Sequence, residues 1–95
     1  MSRALLDEAV LKYVDAKLAV DGQIKTNDVA KAFGLGRQKI SRIFTEYRTV
    51  FPANMHHDVN AKCYVRGEKF KTHYLGKTLP DDYIAAVAVV FAPIE

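Results

Sequence analysis

The sequence predicts a mainly α fold with one small β-hairpin, and three observations lead there. Apolar residues recur at helical spacing through three successive segments of the 95-residue chain. A stretch of shorter period, interrupted by turn residues, follows them. A last apolar segment then opens on a helix-start signal. The order helix, helix, helix, hairpin, helix is that of a winged helix-turn-helix with an added C-terminal helix. Residues 1–77 are expected to form the winged domain, and 78–95 a C-terminal helical extension.

The first helix is expected from Arg3 to Val20, where Leu6, Val10, Tyr13 and Val14 make an apolar stripe with Leu5 and Leu18 beside it. Asp7 and Glu8 are read in its first turn and Lys17 in its last, where the helix dipole favours each sign. Asp21-Gly22 closes it, and Gln23-Ile24-Lys25 is long enough only for a brief strand. Thr26 reads as the N-cap of a second helix running from about Asn27 to Phe33, with Asn27 as the substitute one residue on. Gly34-Leu35-Gly36 breaks that helix. A third runs from Gly36 or Arg37 to Val50 and ends ahead of Pro52. Asn54–Asp58 and Lys62–Arg66, joined through Val59-Asn60, are the expected hairpin. Gly67 to Lys77 is a basic connector without clear period. Leu79-Pro80-Asp81-Asp82 starts a final helix reaching about Phe91, ahead of Pro93.

The functional signal lies in Val29-Ala30, Gly34-Leu35, Ile40 and Ile43, which match a helix-turn-helix in residue type and spacing. Two closely crossing helices need a small side chain at the contact, which Ala30 supplies. The turn needs positive φ, which Gly34 tolerates. Val29, Leu35, Ile40 and Ile43 fill the wedge behind. Gly36 departs from the usual Ser or Thr cap of the next helix but still caps acceptably. At about 100° per residue, Ile40, Ile43, Phe44, Tyr47 and Val50 share one face of the third helix. Arg37, Gln38, Ser41, Arg42, Thr45 and Arg48 occupy the other. Arginine and glutamine suit base edges in a major groove, so Arg37, Gln38, Ser41 and Arg42 are assigned to bases and Thr45 and Arg48 to phosphate. Asn60, Lys62 and Arg66 would be the contacts of the wing, with Lys69 and Lys71 extending the basic surface. The plain alternative is a solvated face of a structural helix.

Charge supports the first reading. Residues 29–77 carry ten lysines and arginines against three carboxylates, a net +7, while 1–28 carry −1 and 78–95 carry −3. The positive charge is thus gathered where a polyanion surface would need it. One cysteine excludes an internal disulfide framework and suits a reducing cytoplasm. The N-terminus has no signal-peptide core. The longest apolar run, Tyr83 to Ile94, is twelve residues, short of the ~20 needed to span a membrane. His56, His57, Cys63 and His73 match no zinc spacing. Cys63 on an alternating strand reads as a small packed group rather than a nucleophile. With no phosphate loop and no paired carboxylates, neither an enzyme nor a cofactor is expected, and no ligand pocket is legible.

The last helix is apolar nearly all round, which so small a domain has little core to cover. Tyr83, Ile84, Val87, Val90 and Phe91 are therefore assigned to a homodimer contact about a two-fold axis. The alternatives are packing on the chain's own first helix, and a β-strand built from the same valines.

Beyond the helix-turn-helix, Phe51-Pro52-Ala53-Asn54 and Asp58-Val59-Asn60-Ala61-Lys62-Cys63-Tyr64-Val65 make residues 3–75 resemble the N-terminal winged helix of WYL-domain transcriptional regulators. The likeness is to bacterial repressors of phage-defence operons. It implies a homodimer on an inverted repeat of double-stranded DNA, with a helical segment after the wing aiding dimerisation. The chain ends at Glu95, so no WYL ligand-sensing domain is expected within it: it is an excised domain or a stand-alone relative. A protein-interaction module, or an excisionase-like accessory factor, is the other class of function the fold allows.

Overall fold

The computed structural model describes residues 3–91. Its elements are α1 (Arg3–Asp21), β1 (Gln23–Ile24), α2 (Thr26–Phe33), α3 (Arg37–Val50), β2 (Met55–Asp58), β3 (Cys63–Arg66) and α4 (Pro80–Val90). The brief strand does form. β1 joins the hairpin to make an antiparallel sheet ordered β1-β3-β2, with Ile24 opposite Tyr64 and His57 opposite the same residue from the other side.

Gly22 takes φ +74° and donates to the Leu18 carbonyl, ending α1 as expected. Because α1 already begins at Arg3, Asp7 and Glu8 fall in its second turn, beyond the free amides of the helix start. They form ion pairs instead: Asp7 with Lys39 of α3 at 2.6 Å and Glu8 with Lys12 at 3.6 Å. Lys17 falls just short of the last turn, because α1 runs on to Asp21, and it pairs with Asp21. The start of α2 is also corrected. Lys25, not Thr26, is its N-cap, and the Asp28 carboxylate accepts the Lys25 amide at 2.9 Å. Thr26 is displaced because the pairing of Ile24 leaves room for only one extended residue before the helix. Gly34 takes φ +68° and donates to Ala30, making the turn into α3.

The core collects Val10, Val14 and Leu18 of α1, Ile24, Val29 and Phe33, then Ile40, Ile43, Phe44 and Tyr47 of α3, and Met55. Val50 does not join it: the helix ends there and its side chain is exposed. The C-terminal segment is a helix, not a strand, and it lies along α1. Val87 is buried, Tyr83 donates to the Ala9 carbonyl at 2.8 Å, and Phe91 meets Phe33 at 4.7 Å between ring centroids. Tyr83, Ile84, Val87 and Phe91 thus turn toward the domain's own core, and Val90 with Val89 faces outward. Within the single chain those four follow the packing alternative, covering α1 and the core. The expected stop at Pro93 lies outside the described residues.

The connector after the wing has no regular structure but is firmly held. Fully buried Asp15 accepts the amides of His73 and Tyr74 at 2.6 and 2.7 Å and the hydroxyl of Tyr47. Buried Asn54 donates to the Tyr47 hydroxyl at 2.9 Å and to the Lys71 carbonyl at 2.7 Å, and accepts the Lys71 amide at 3.2 Å. Buried polar groups are tolerated when all are bonded, and this network bonds α1, α3 and the connector together. Burial and the bond to Asp15 push the Tyr47 hydroxyl pKa far above the ordinary tyrosine value. Gly67 passes so close to the chain that a Cβ there would sit 2.0 Å from the Ala53 carbonyl oxygen.

Candidate nucleic-acid interface

α3 divides as its periodicity predicts from Arg37 to Arg48. Ile40, Ile43, Phe44 and Tyr47 are buried, while Arg37, Gln38, Ser41, Arg42, Thr45 and Arg48 are exposed. Arg37, Gln38, Ser41, Arg42 and Thr45 line one shallow concavity along the helix. The Thr45 hydroxyl donates to the Ser41 carbonyl at 2.9 Å and Thr49 repeats the bond to Thr45 at 2.7 Å. Lys39, on the flank, turns back to Asp7 and leaves this face to the arginines.

The wing stands at the C-terminal half of α3. Tyr64 packs edge-on against Phe44 at 5.1 Å and against His57 at 5.1 Å. The Arg48 guanidinium lies 5.3 Å from the Tyr64 ring centre, so Arg48 bridges helix and wing. At the tip, Asp58 accepts the amides of Asn60 and Ala61, and Lys62 is held at φ +55°. Asn60 and Lys62 are exposed as expected. Arg66 is exposed too, and it also bonds within the fold. Its guanidinium donates to the carbonyls of Leu18 and Ala19 at 3.4 and 3.2 Å, completing the C-terminus of α1, because β1 carries that helix end alongside β3. Lys69 and Lys71 have exposed side chains on the connector.

Of the residues read as weaker constellations, His73 stacks on Phe51 at 3.7 Å and Cys63 is buried beside Gln23. Among the described residues no group of three or more His, Cys, Asp or Glu side chains is placed to hold a metal. No helix among them is long and apolar enough to cross a membrane.

Sequence reasoning missed one part of the surface. Lys25, Thr26 and Asn27 line a cleft together with Arg37 and Ser41 of α3 and Lys62 of the wing. Three separate stretches of chain meet there, so no local pattern announces it. The available signal was Lys25 itself, a cation placed just before a helix-turn-helix.

Three helices with an antiparallel hairpin beside the third, and an arginine-bearing face on that third helix, define a winged helix-turn-helix. Within that class, the chain belongs to the BrxR transcriptional regulator winged helix-turn-helix domain family, whose model matches residues 7–88. It is similar to the DNA-binding transcriptional repressor CapW of Pseudomonas aeruginosa, at 33% identity over 67% of this chain. CapW of Escherichia coli strain KTE188 is 28% identical over 76% of it. The alignments cover 21% and 24% of those relatives, so the chain spans about a fifth to a quarter of their length.

Proposed function

We propose that this domain binds double-stranded DNA sequence-specifically, as the DNA-reading part of a homodimeric repressor acting on an inverted repeat. The observation that carries the reading is the exposed face of α3, where Arg37, Gln38, Ser41 and Arg42 stand clear of the core beside a basic wing. Such a face fits a major groove, with arginine donating to guanine and glutamine pairing with adenine. Asn60 and Lys62 lie where a wing meets the neighbouring backbone or minor groove. The relatives named as DNA-binding repressors support the same class. Dimerisation falls to the outward Val89 and Val90, which are 78% and 69% exposed at the end of α4. Two reading helices on a two-fold axis would enter major grooves ~34 Å apart.

The test is selection from randomised duplexes with purified protein at near-physiological salt, with competitor DNA present. Recovery of an inverted repeat is expected, and recovery of no enriched sequence would reject sequence-specific reading. On the recovered site, Arg42→Ala should cost ~1–3 kcal/mol and relax the preference at one base pair. Unchanged selectivity would remove Arg42 from the reading face.

A further inference from the structure

Among the described residues only three lysine or arginine side chains form ion pairs, and three of the unpaired ones meet at one place. Lys12, Lys17 and Lys39 each have a carboxylate partner on α1. Lys25, Arg37 and Lys62 have none among the described residues, and all three line the same cleft. They reach it from different elements: the residue before α2, the first turn of α3, and the turn of the wing. Thr26, Asn27 and Ser41 add hydroxyl and amide groups, and no carboxylate lines the cleft. Three uncompensated cations converging on one concavity, with neutral hydrogen-bonding groups between them, make a seat for a single multivalent anion.

Lys62 strengthens the point. Among the described residues it alone has positive φ without being glycine. That conformation disfavours residues with a side chain by about 1 kcal/mol or more, and Asn or Gly would take it with less strain. A strained backbone held at an exposed turn points to a function for the side chain it presents.

We infer that this cleft grips one backbone phosphate of the DNA through Lys25, Arg37 and Lys62 together. The inference rests on the DNA-binding reading and deepens it. It moves Arg37 from base reading to phosphate clamping and leaves Gln38, Ser41 and Arg42 to the bases. It also adds Lys25 as a contact. One phosphate held by three elements fixes α2, the reading helix and the wing at one register on the duplex, a positioning role without base information.

The test measures affinity against salt for wild type, Lys25→Ala, Lys62→Gly and the double variant. The probes are the selected duplex and a scrambled duplex of equal length, with circular dichroism to establish that each variant is folded. Glycine adopts positive φ freely, so Lys62→Gly removes the cation without imposing backbone strain. Each single variant should weaken both duplexes by a common factor, on the order of threefold to tenfold. With Arg37 left in the seat, the double variant should flatten the salt slope by no more than the ~0.9 of one phosphate contact, rather than by the ~1.8 of two independent ones. Its loss should be smaller than the product of the single losses, since both cations hold the same group. A slope change of two contacts with multiplicative losses would overturn the shared seat. So would unchanged affinity in both single variants, or a loss on the selected duplex alone. Failure of wild type to bind any duplex would instead overturn the DNA reading from which this follows.

Discussion

The two sides of α3 use polar side chains in opposite ways. Toward the back, Tyr47 meets Asp15 and Asn54 in a network in which Asp15 takes three donors and Asn54 engages Tyr47 and Lys71. Toward the front, Arg37, Gln38 and Arg42 have no ion pair or side-chain bond among the described residues. A polar group satisfied inside the fold builds structure, because water cannot replace its partner cheaply. One left open at the surface costs nothing in water and remains available to a ligand. Arg48 and Arg66 show how finely the division is drawn. Both are exposed, and each also has an engagement within the fold: Arg66 donates to the carbonyls that end α1 and Arg48 rests against Tyr64.

The contrast is broken first at Asp15. Asp15→Ala strands two backbone amides and the Tyr47 hydroxyl, each costing about 1–3 kcal/mol when buried without a partner. A loss of several kcal/mol, near the whole margin of a small domain, should appear in urea unfolding. A loss under about 1 kcal/mol would mean that the back is not the structural side. Next in size is Gly67→Ala, whose methyl must displace the Ala53 carbonyl it would overlap. It should destabilise by about 1–3 kcal/mol and loosen the connector in hydrogen exchange. Alkaline pH should act more gradually. Burial raises the hydroxyl pKa of Tyr13, Tyr47, Tyr74 and Tyr83 above the ordinary value. An unfolded chain ionises its tyrosines near pH ~10 and the folded one holds these protons longer. Their contribution is therefore whole below pH ~10 and is lost as pH rises above it. Parallel tyrosinate absorbance and unfolding titrations would check this, and a stability flat to higher pH would contradict it. Smallest of all, Gln38→Ala and Arg42→Ala on the front should leave stability within about 0.5 kcal/mol while changing DNA reading.

Much of the fold was legible because local rules and tertiary packing agree along most of the chain. Gly22 and Gly34 do take positive φ where helices end, and Pro80 lies at the start of α4. The buried and exposed faces of α3 follow its period up to Arg48. Boundaries went astray where a distant partner intervened: pairing of β1 with β3 moved the cap of α2 from Thr26 to Lys25. For the apolar last helix, periodicity could not name the partner. Tyr83, Val87 and Phe91 needed Ala9, the core and Phe33 to be in place before their direction was decided.

The order of elements, the helix-turn-helix and its arginine face follow from local rules, because periods, caps and turns depend on neighbours within a few residues. The tertiary structure alone decided that Asn54 and Asp15 tie the connector to Tyr47, and that Arg66 serves α1. It also brought Lys25, Arg37 and Lys62 into one cleft. These depend on residues up to 59 positions apart, as from Asp15 to Tyr74, and such distances close only when the core does.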